Sequence, residues 1–144
     1  IYQRFIPRFQ HELAWYTDRG WIQNTQFNID RQLKENTLYR WTNEVDWRIT
    51  SQRFLTTHGP SIIVNTSDDD VWSYNARIGT LKDSGNVEGG YAMSGYGVSV
   101  AYRRNLQGHW LYAEVVPSLD WPRSMGWRRT PGILFRIESL FGRR

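Results

Sequence analysis

Tyr39-Arg40-Trp41-Thr42-Asn43-Glu44-Val45-Asp46-Trp47-Arg48-Ile49 decides the fold. Tyr39, Trp41, Asn43, Val45, Trp47 and Ile49 occupy one phase of a two-residue period; Arg40, Thr42, Glu44, Asp46 and Arg48 occupy the other. Only extended backbone throws successive side chains to opposite faces, so the stretch reads as a β-strand with an aromatic face and a charged face. A soluble sandwich can show this in one strand, with its aromatics turned inward. Here the pattern recurs along the whole chain, roughly every 15 to 18 residues, which a sandwich rarely does.

Working outward, expected strands cover 4–16, 21–33, 37–50, 54–65, 71–81, 91–104, 109–121 and 131–141. Phe5, Pro7, Phe9, His11, Leu13 and Trp15 alternate with Arg8, Gln10, Glu12 and Ala14. After the turn Thr17-Asp18-Arg19-Gly20, Trp21, Gln23, Thr25, Phe27 and Ile29 alternate with Asn24, Gln26, Asn28 and Asp30. The fourth strand is the weakest, because Gly59-Pro60 predicts a bulge or irregularity inside it. Trp72, Tyr74, Ala76 and Ile78, then Tyr96, Val98, Val100 and Tyr102, then Leu111 to Trp121, continue the alternation.

Composition narrows the class. The chain is 144 residues long with eight Trp and eight Tyr, yet mean hydropathy is −0.63. The longest aliphatic run is Ile62-Ile63-Val64, far short of the ~20 apolar residues of a membrane helix. A barrel whose alternate residues face lipid and a polar interior reconciles many aromatics with low hydropathy. The expected fold is therefore all-β: an antiparallel up-and-down transmembrane β-barrel, eight strands in this chain, which is complete or part of a larger barrel. The absence of cysteine removes disulfides, thiolate metal sites and cysteine nucleophiles. Net charge is +4, but the basic residues are spread singly along the strands, which argues against nucleic acid. The chain starts at Ile1 without Met or a leader, as expected of a processed or internal segment.

With both termini on one side, Lys34-Glu35-Asn36, Ser67 to Asp70 and Asn105 to Gly108 are short polar turns there. Leu81 to Gly90 and Pro122 to Pro131 are the long loops opposite. Short inner turns and longer outer loops are the outer-membrane arrangement.

The stretch Thr130-Pro131-Gly132-Ile133-Leu134-Phe135-Arg136-Ile137-Glu138-Ser139-Leu140-Phe141 resembles the terminal strand of Gram-negative outer-membrane β-barrel proteins. The segment from Trp110 to Phe141 also resembles the ends of longer, uncharacterised proteobacterial members of that class. The resemblance implies an outer-membrane location with both termini periplasmic. It also implies an insertion signal at Phe135, Ile137 and Phe141, read by the barrel-assembly machinery. Gly142-Arg143-Arg144 departs from it, because the aromatic is usually the last residue.

The inward phase carries Arg8, Arg40, Arg48, Arg77, Arg103 and Arg136 with Glu12, Asp30, Glu44, Asp46, Glu114, Asp120 and Glu138. Near-balance of sign predicts a salt-bridged interior, since unpaired buried charge is costly. Glu44 and Asp46 point the same way and are expected to pair with nearby arginines rather than do acid–base work. His11, His58 and His109 show no metal-ligand spacing, and no cofactor site is evident. His58-Gly59-Pro60-Ser61 is the only adjacent His and Ser, and no carboxylate is placed to orient His58. The expected role is non-enzymatic, as a structural anchor or a subunit of an envelope assembly with an envelope protein partner. The alternatives are a passive, porin-like channel if further strands complete the barrel, and a lipid A-modifying enzyme. Trp15, Trp21, Tyr39, Trp41, Trp47, Trp72, Tyr74, Tyr102 and Trp121 are expected to form two interfacial girdles. Arg19, Arg53, Lys82, Arg123, Arg128 and Arg129 would lie at the outer rim, where Arg123, Arg128 and Arg129 are candidate contacts for lipopolysaccharide phosphate.

Overall fold

The computed structural model describes residues 5–17, 20–49, 53–83, 91–108 and 110–139. Eight strands follow one another: β1 (Phe5–Tyr16), β2 (Gly20–Lys34), β3 (Thr37–Arg48), β4 (Arg53–Asn65), β5 (Asp70–Asp83), β6 (Ala92–Gln107), β7 (Leu111–Pro122) and β8 (Thr130–Ser139). They form one antiparallel up-and-down sheet in the order β1-β2-β3-β4-β5-β6-β7-β8. Every expected strand is present, with ends that differ from the expected ones by three residues or fewer. At 10 to 16 residues, all of them reach the ~9–11 residues of a tilted membrane crossing.

Tight connections follow from residues that permit them. Gly20 takes φ 71° where β2 begins, and Gly108 takes φ 53° after β6; both are left-handed conformations that suit glycine. Between β4 and β5, the Ser67 hydroxyl accepts from the Asp70 amide (3.1 Å) and donates to its carboxylate (2.9 Å). Pro7, Pro60 and Pro131 sit where a missing donor is tolerated. Pro7 and Pro131 lie on the two edge strands. Gly59-Pro60 interrupts the β4–β5 ladder without shifting its register, from His58↔Ile78 on one side to Ser61↔Asn75 on the other. The expected irregularity is therefore a local gap rather than a bulge. Close approach explains the glycine, because a Cβ on Gly59 would lie 1.9 Å from the Ala76 carbonyl oxygen.

One row of partners crosses all eight strands: Ile6, Asp30, Arg40, Ser61, Asn75, Ser99, Ser118 and Gly132. The sheet is open. Among the described residues, β1 pairs only with β2 and β8 only with β7, and both edge strands are largely exposed.

The distribution of polarity is inverted. Among the described residues no hydrophobic side chain is buried, whereas Asn28, Asp30 and Thr56 are. Phe9, Leu13, Trp15, Ile78, Phe135 and Ile137 are instead among the large apolar residues in the open. A water-soluble sheet gains its stability by burying such residues, and this one does not.

Candidate functional site

The polar face is laced with ion pairs. Asp30, wholly buried, accepts from Arg40 Nε (2.7 Å) and Nη2 (2.9 Å) and lies 3.1 Å from Arg8 Nε. The register places Asp30 directly opposite Arg40, so the fork of the guanidinium meets both carboxylate oxygens. Arg77 Nη2 donates to Asp120 at 2.6 Å, and Arg103 Nη2 lies 2.9 Å from Glu138. Both pairs bridge over an intervening strand, β6 in the first case and β7 in the second. Strands are ~4.8 Å apart, so such pairs require side chains that lean over the strand between them. Gly97 makes room for one: a Cβ there would lie 1.9 Å from Asp120 Oδ1. Arg136 and Glu114, directly paired across β7 and β8, are 3.5 Å apart.

Two expectations change. Glu44 and Asp46 are held by the Asn24 side-chain amide, which donates to both at 2.7 Å, and not by the arginines expected beside them. The register sets Asn24 opposite Asp46, which puts an amide where the charge pattern suggested a guanidinium. Glu12 and Arg48, also expected in the network, join no ion pair among the described residues. Toward one end of this face, Thr57, Arg77, Gly79, Gly95, Asp120 and Thr130 line a hollow of about 370 Å³.

The opposite face carries all nine expected girdle aromatics in register. Trp15 faces Trp21, and Trp72 packs on Tyr102 with ring centroids 4.7 Å apart. Trp47 faces Phe54, while Tyr39, Trp41 and Tyr74 share the face through the pairs Tyr39↔Ile62, Trp41↔Pro60 and Ile62↔Tyr74. Tyr96 stacks between Trp121 (5.1 Å, 13°) and Trp127 (5.9 Å, 24°).

This apolar face holds a polar network that composition did not reveal. His58 Nδ1 is 2.9 Å from Asn43 Oδ1, His58 Nε2 is 3.1 Å from Thr56 Oγ1, and Thr56 Oγ1 is 2.6 Å from Thr80 Oγ1. His11 meets Thr25 in the same way at 2.9 Å. The readable signal was Asn43 within an otherwise apolar phase of β3. Ser61 is three residues from His58, on the other face, so these two cannot act together as nucleophile and base. Among the described residues no three His, Asp or Glu side chains converge as metal ligands.

The connections β1–β2, β3–β4, β5–β6 and β7–β8 share one rim of the sheet, here called the upper rim. The β7–β8 connection is a compact loop with a 3-10 turn at Arg123–Met125. The Gly126 amide donates to Arg123 O (2.9 Å), Trp127 to Pro122 O (3.1 Å) and Arg128 to Met125 O (3.3 Å). Arg123, Arg128 and Arg129 are exposed on it. Of the expected insertion signal, Phe135 (72% exposed) and Ile137 (76%) point outward from β8. Phe141, Arg19 and His109 lie outside the described residues.

Compared with known proteins, the chain matches no family model, no curated protein and no solved structure.

Proposed function

We propose that this chain forms the wall of a transmembrane β-barrel in the outer membrane of a Gram-negative bacterium. The apolar face meets lipid, the polar face lines the interior, and the upper rim faces the cell exterior. Its role is structural, as an anchor or as a subunit of an envelope assembly, and the barrel-assembly machinery inserts it through β8.

The inverted polarity carries this reading. Eight long strands expose their aromatic and aliphatic side chains, while a fully buried carboxylate and its arginines occupy the other face. In water that arrangement forfeits the hydrophobic contribution of ~25 cal/mol per Å² that folds soluble domains. Lipid restores it, and strands are one of the two backbone forms that can cross a bilayer. The test is refolding of the chain with and without phosphatidylcholine vesicles, read by circular dichroism and protease protection. The expected result is β-structure and protection only with vesicles. A monodisperse, folded chain in plain buffer would overturn the reading.

A second reading, a passive channel, draws on the edges. Open strand edges are not tolerated in hydrocarbon, so β1 and β8 must be paired there. If further strands complete the barrel, the interior is wider than the eight-stranded kind that side chains fill. Lumen arginines such as Arg77, half exposed, suit a wetted wall. Steady single-channel conductance in planar bilayers supports this reading, and electrical silence removes it.

A further inference from the structure

Cations lie beside aromatics at both rims, with Arg31 over Phe5 and Arg103 over Tyr112 toward the lower one. At the upper rim, Lys82 Nζ lies 5.4 Å from the centre of the Tyr91 ring, which itself packs edge-on against Phe54. The β7–β8 loop brings both residue types together in sequence. Arg123 lies between Trp121 and Trp127, and Arg128 and Arg129 come directly after Trp127; both tryptophans stack on Tyr96. None of the three arginines joins an ion pair among the described residues. The lower rim is different in charge, with the run Asp68-Asp69-Asp70 in its β4–β5 turn.

The loop is also held in place. Trp127 has φ 62°, a left-handed conformation that is a genuine outlier for a bulky side chain. Gly126, also at φ 62°, precedes it. Strain of this kind persists only where surrounding contacts enforce it, and it concentrates at sites that bind. Here the enforcing contacts are the hydrogen bond that the Trp127 amide donates to the Pro122 carbonyl and the ring stack on Tyr96. They lock Trp127 to the apolar face and start Arg128 and Arg129 at its border. Ordering the loop in advance reduces what a ligand must spend on ordering it.

We infer that Arg123, Arg128 and Arg129, together with the aromatic stack of Trp127, Tyr96 and Trp121, form a binding site for the phosphorylated headgroup of a membrane glycolipid. This rests on the membrane reading above. The chemistry recommends the class: guanidinium forks match phosphate oxygens, and aromatic rings at the interface suit the sugar and upper acyl chain of the same molecule. A soluble anion would use the arginines alone.

The experiment uses the chain reconstituted in phosphatidylcholine vesicles, with bisphosphorylated lipid A as the probe. Binding is measured against monophosphorylated lipid A, phosphatidylglycerol and inorganic phosphate. The expected order is bisphosphorylated above monophosphorylated lipid A, both above phosphatidylglycerol, with no competition from millimolar inorganic phosphate. Arg128→Gln with Arg129→Gln should weaken lipid A binding at least tenfold, and the corresponding Lys pair should retain part of it. Trp127→Gly removes the ring at a position where glycine accepts the left-handed backbone, so it should weaken lipid A binding in a chain that still enters vesicles; unchanged binding would remove the ring from the site. Unchanged binding in the Gln pair, lipid A bound no better than phosphatidylglycerol, or competition by inorganic phosphate would overturn the inference while leaving the membrane reading intact. A chain that fails to enter vesicles at all would overturn both the inference and the reading of this chain as a barrel closed on itself.

Discussion

Val98 and Ser99 are neighbours on β6 and face opposite ways, which makes them a sharp test of the two faces. Val98 is 49% exposed, with Ala76 and Leu119 as its cross-strand partners. Ser99 sits in the polar row between Asn75 and Ser118, and Asn75 Nδ2 donates to it at 3.4 Å. If the outward face meets hydrocarbon, Val98→Arg places a charge near the middle of a membrane-spanning strand. That costs about 2–4 kcal/mol, or roughly a 30- to 900-fold loss in the folding equilibrium. Ser99→Arg places the same group in a polar interior. It forfeits one long hydrogen bond, about 1 kcal/mol at most, if the interior is wide. If eight strands close around a filled interior, overpacking raises that figure to about 1–3 kcal/mol. The assay is reversible urea unfolding in phosphatidylcholine vesicles, followed by tryptophan fluorescence. In a water-soluble protein the Val98 change would fall within about 0.5 kcal/mol, because the side chain is already half exposed to solvent. Such an indifferent Val98→Arg would refute the assignment of the faces.

The Asp30 cluster should be uneven. Coupling to Arg40, bidentate and 25% exposed, should be about 2 kcal/mol in a double-mutant cycle, while coupling to Arg8, 61% exposed, should stay below about 0.5 kcal/mol. Equal couplings would show that the buried geometry is wrong. Gly97→Val forces the Asp120 carboxylate away and should cost about 1–3 kcal/mol; the same change should cost much less once Arg77 and Asp120 are replaced by Gln and Asn, and an equal cost in both backgrounds would place the strain elsewhere. Closure can be trapped by a disulfide, because the chain lacks cysteine. Pairing Gln10 with Arg136 would set Gly132 against Ala14, eight positions along β1 from Ile6 in the same row. That stagger corresponds to a strand tilt of about 36° in a closed barrel of eight. The channel reading expects no disulfide within one chain carrying Gln10→Cys and Arg136→Cys; its formation would remove that reading.

The sequence made the strands legible where the two faces differ in chemistry. In β3, Trp and Tyr oppose Arg, Glu and Asp, so period and face come out together. In β4 the outward phase holds Thr56, His58 and Pro60 and the inward phase holds Thr57, Gly59 and Ser61, so the contrast vanishes. Membership of the charged face was readable, but its pairing was not. Arg77 finds Asp120 43 residues away, over a glycine, and only the register of three strands puts them together. Asn24 displaced the expected arginines at Glu44 and Asp46 for the same reason. Whether the sheet closes is also invisible in the alternation, because an open and a closed sheet demand the same pattern of each strand. The left-handed Trp127 had no local signal beyond the glycine before it.

The most direct test of the central claim is a nitroxide scan of positions 96 to 102 in single-cysteine variants of the vesicle-bound chain. The account predicts accessibility that alternates with a period of two. Oxygen dissolved in lipid should reach Tyr96, Val98, Val100 and Tyr102, and a water-soluble nickel chelate should be excluded from them. Uniform access of the chelate to those four positions would contradict the claim that this face meets lipid.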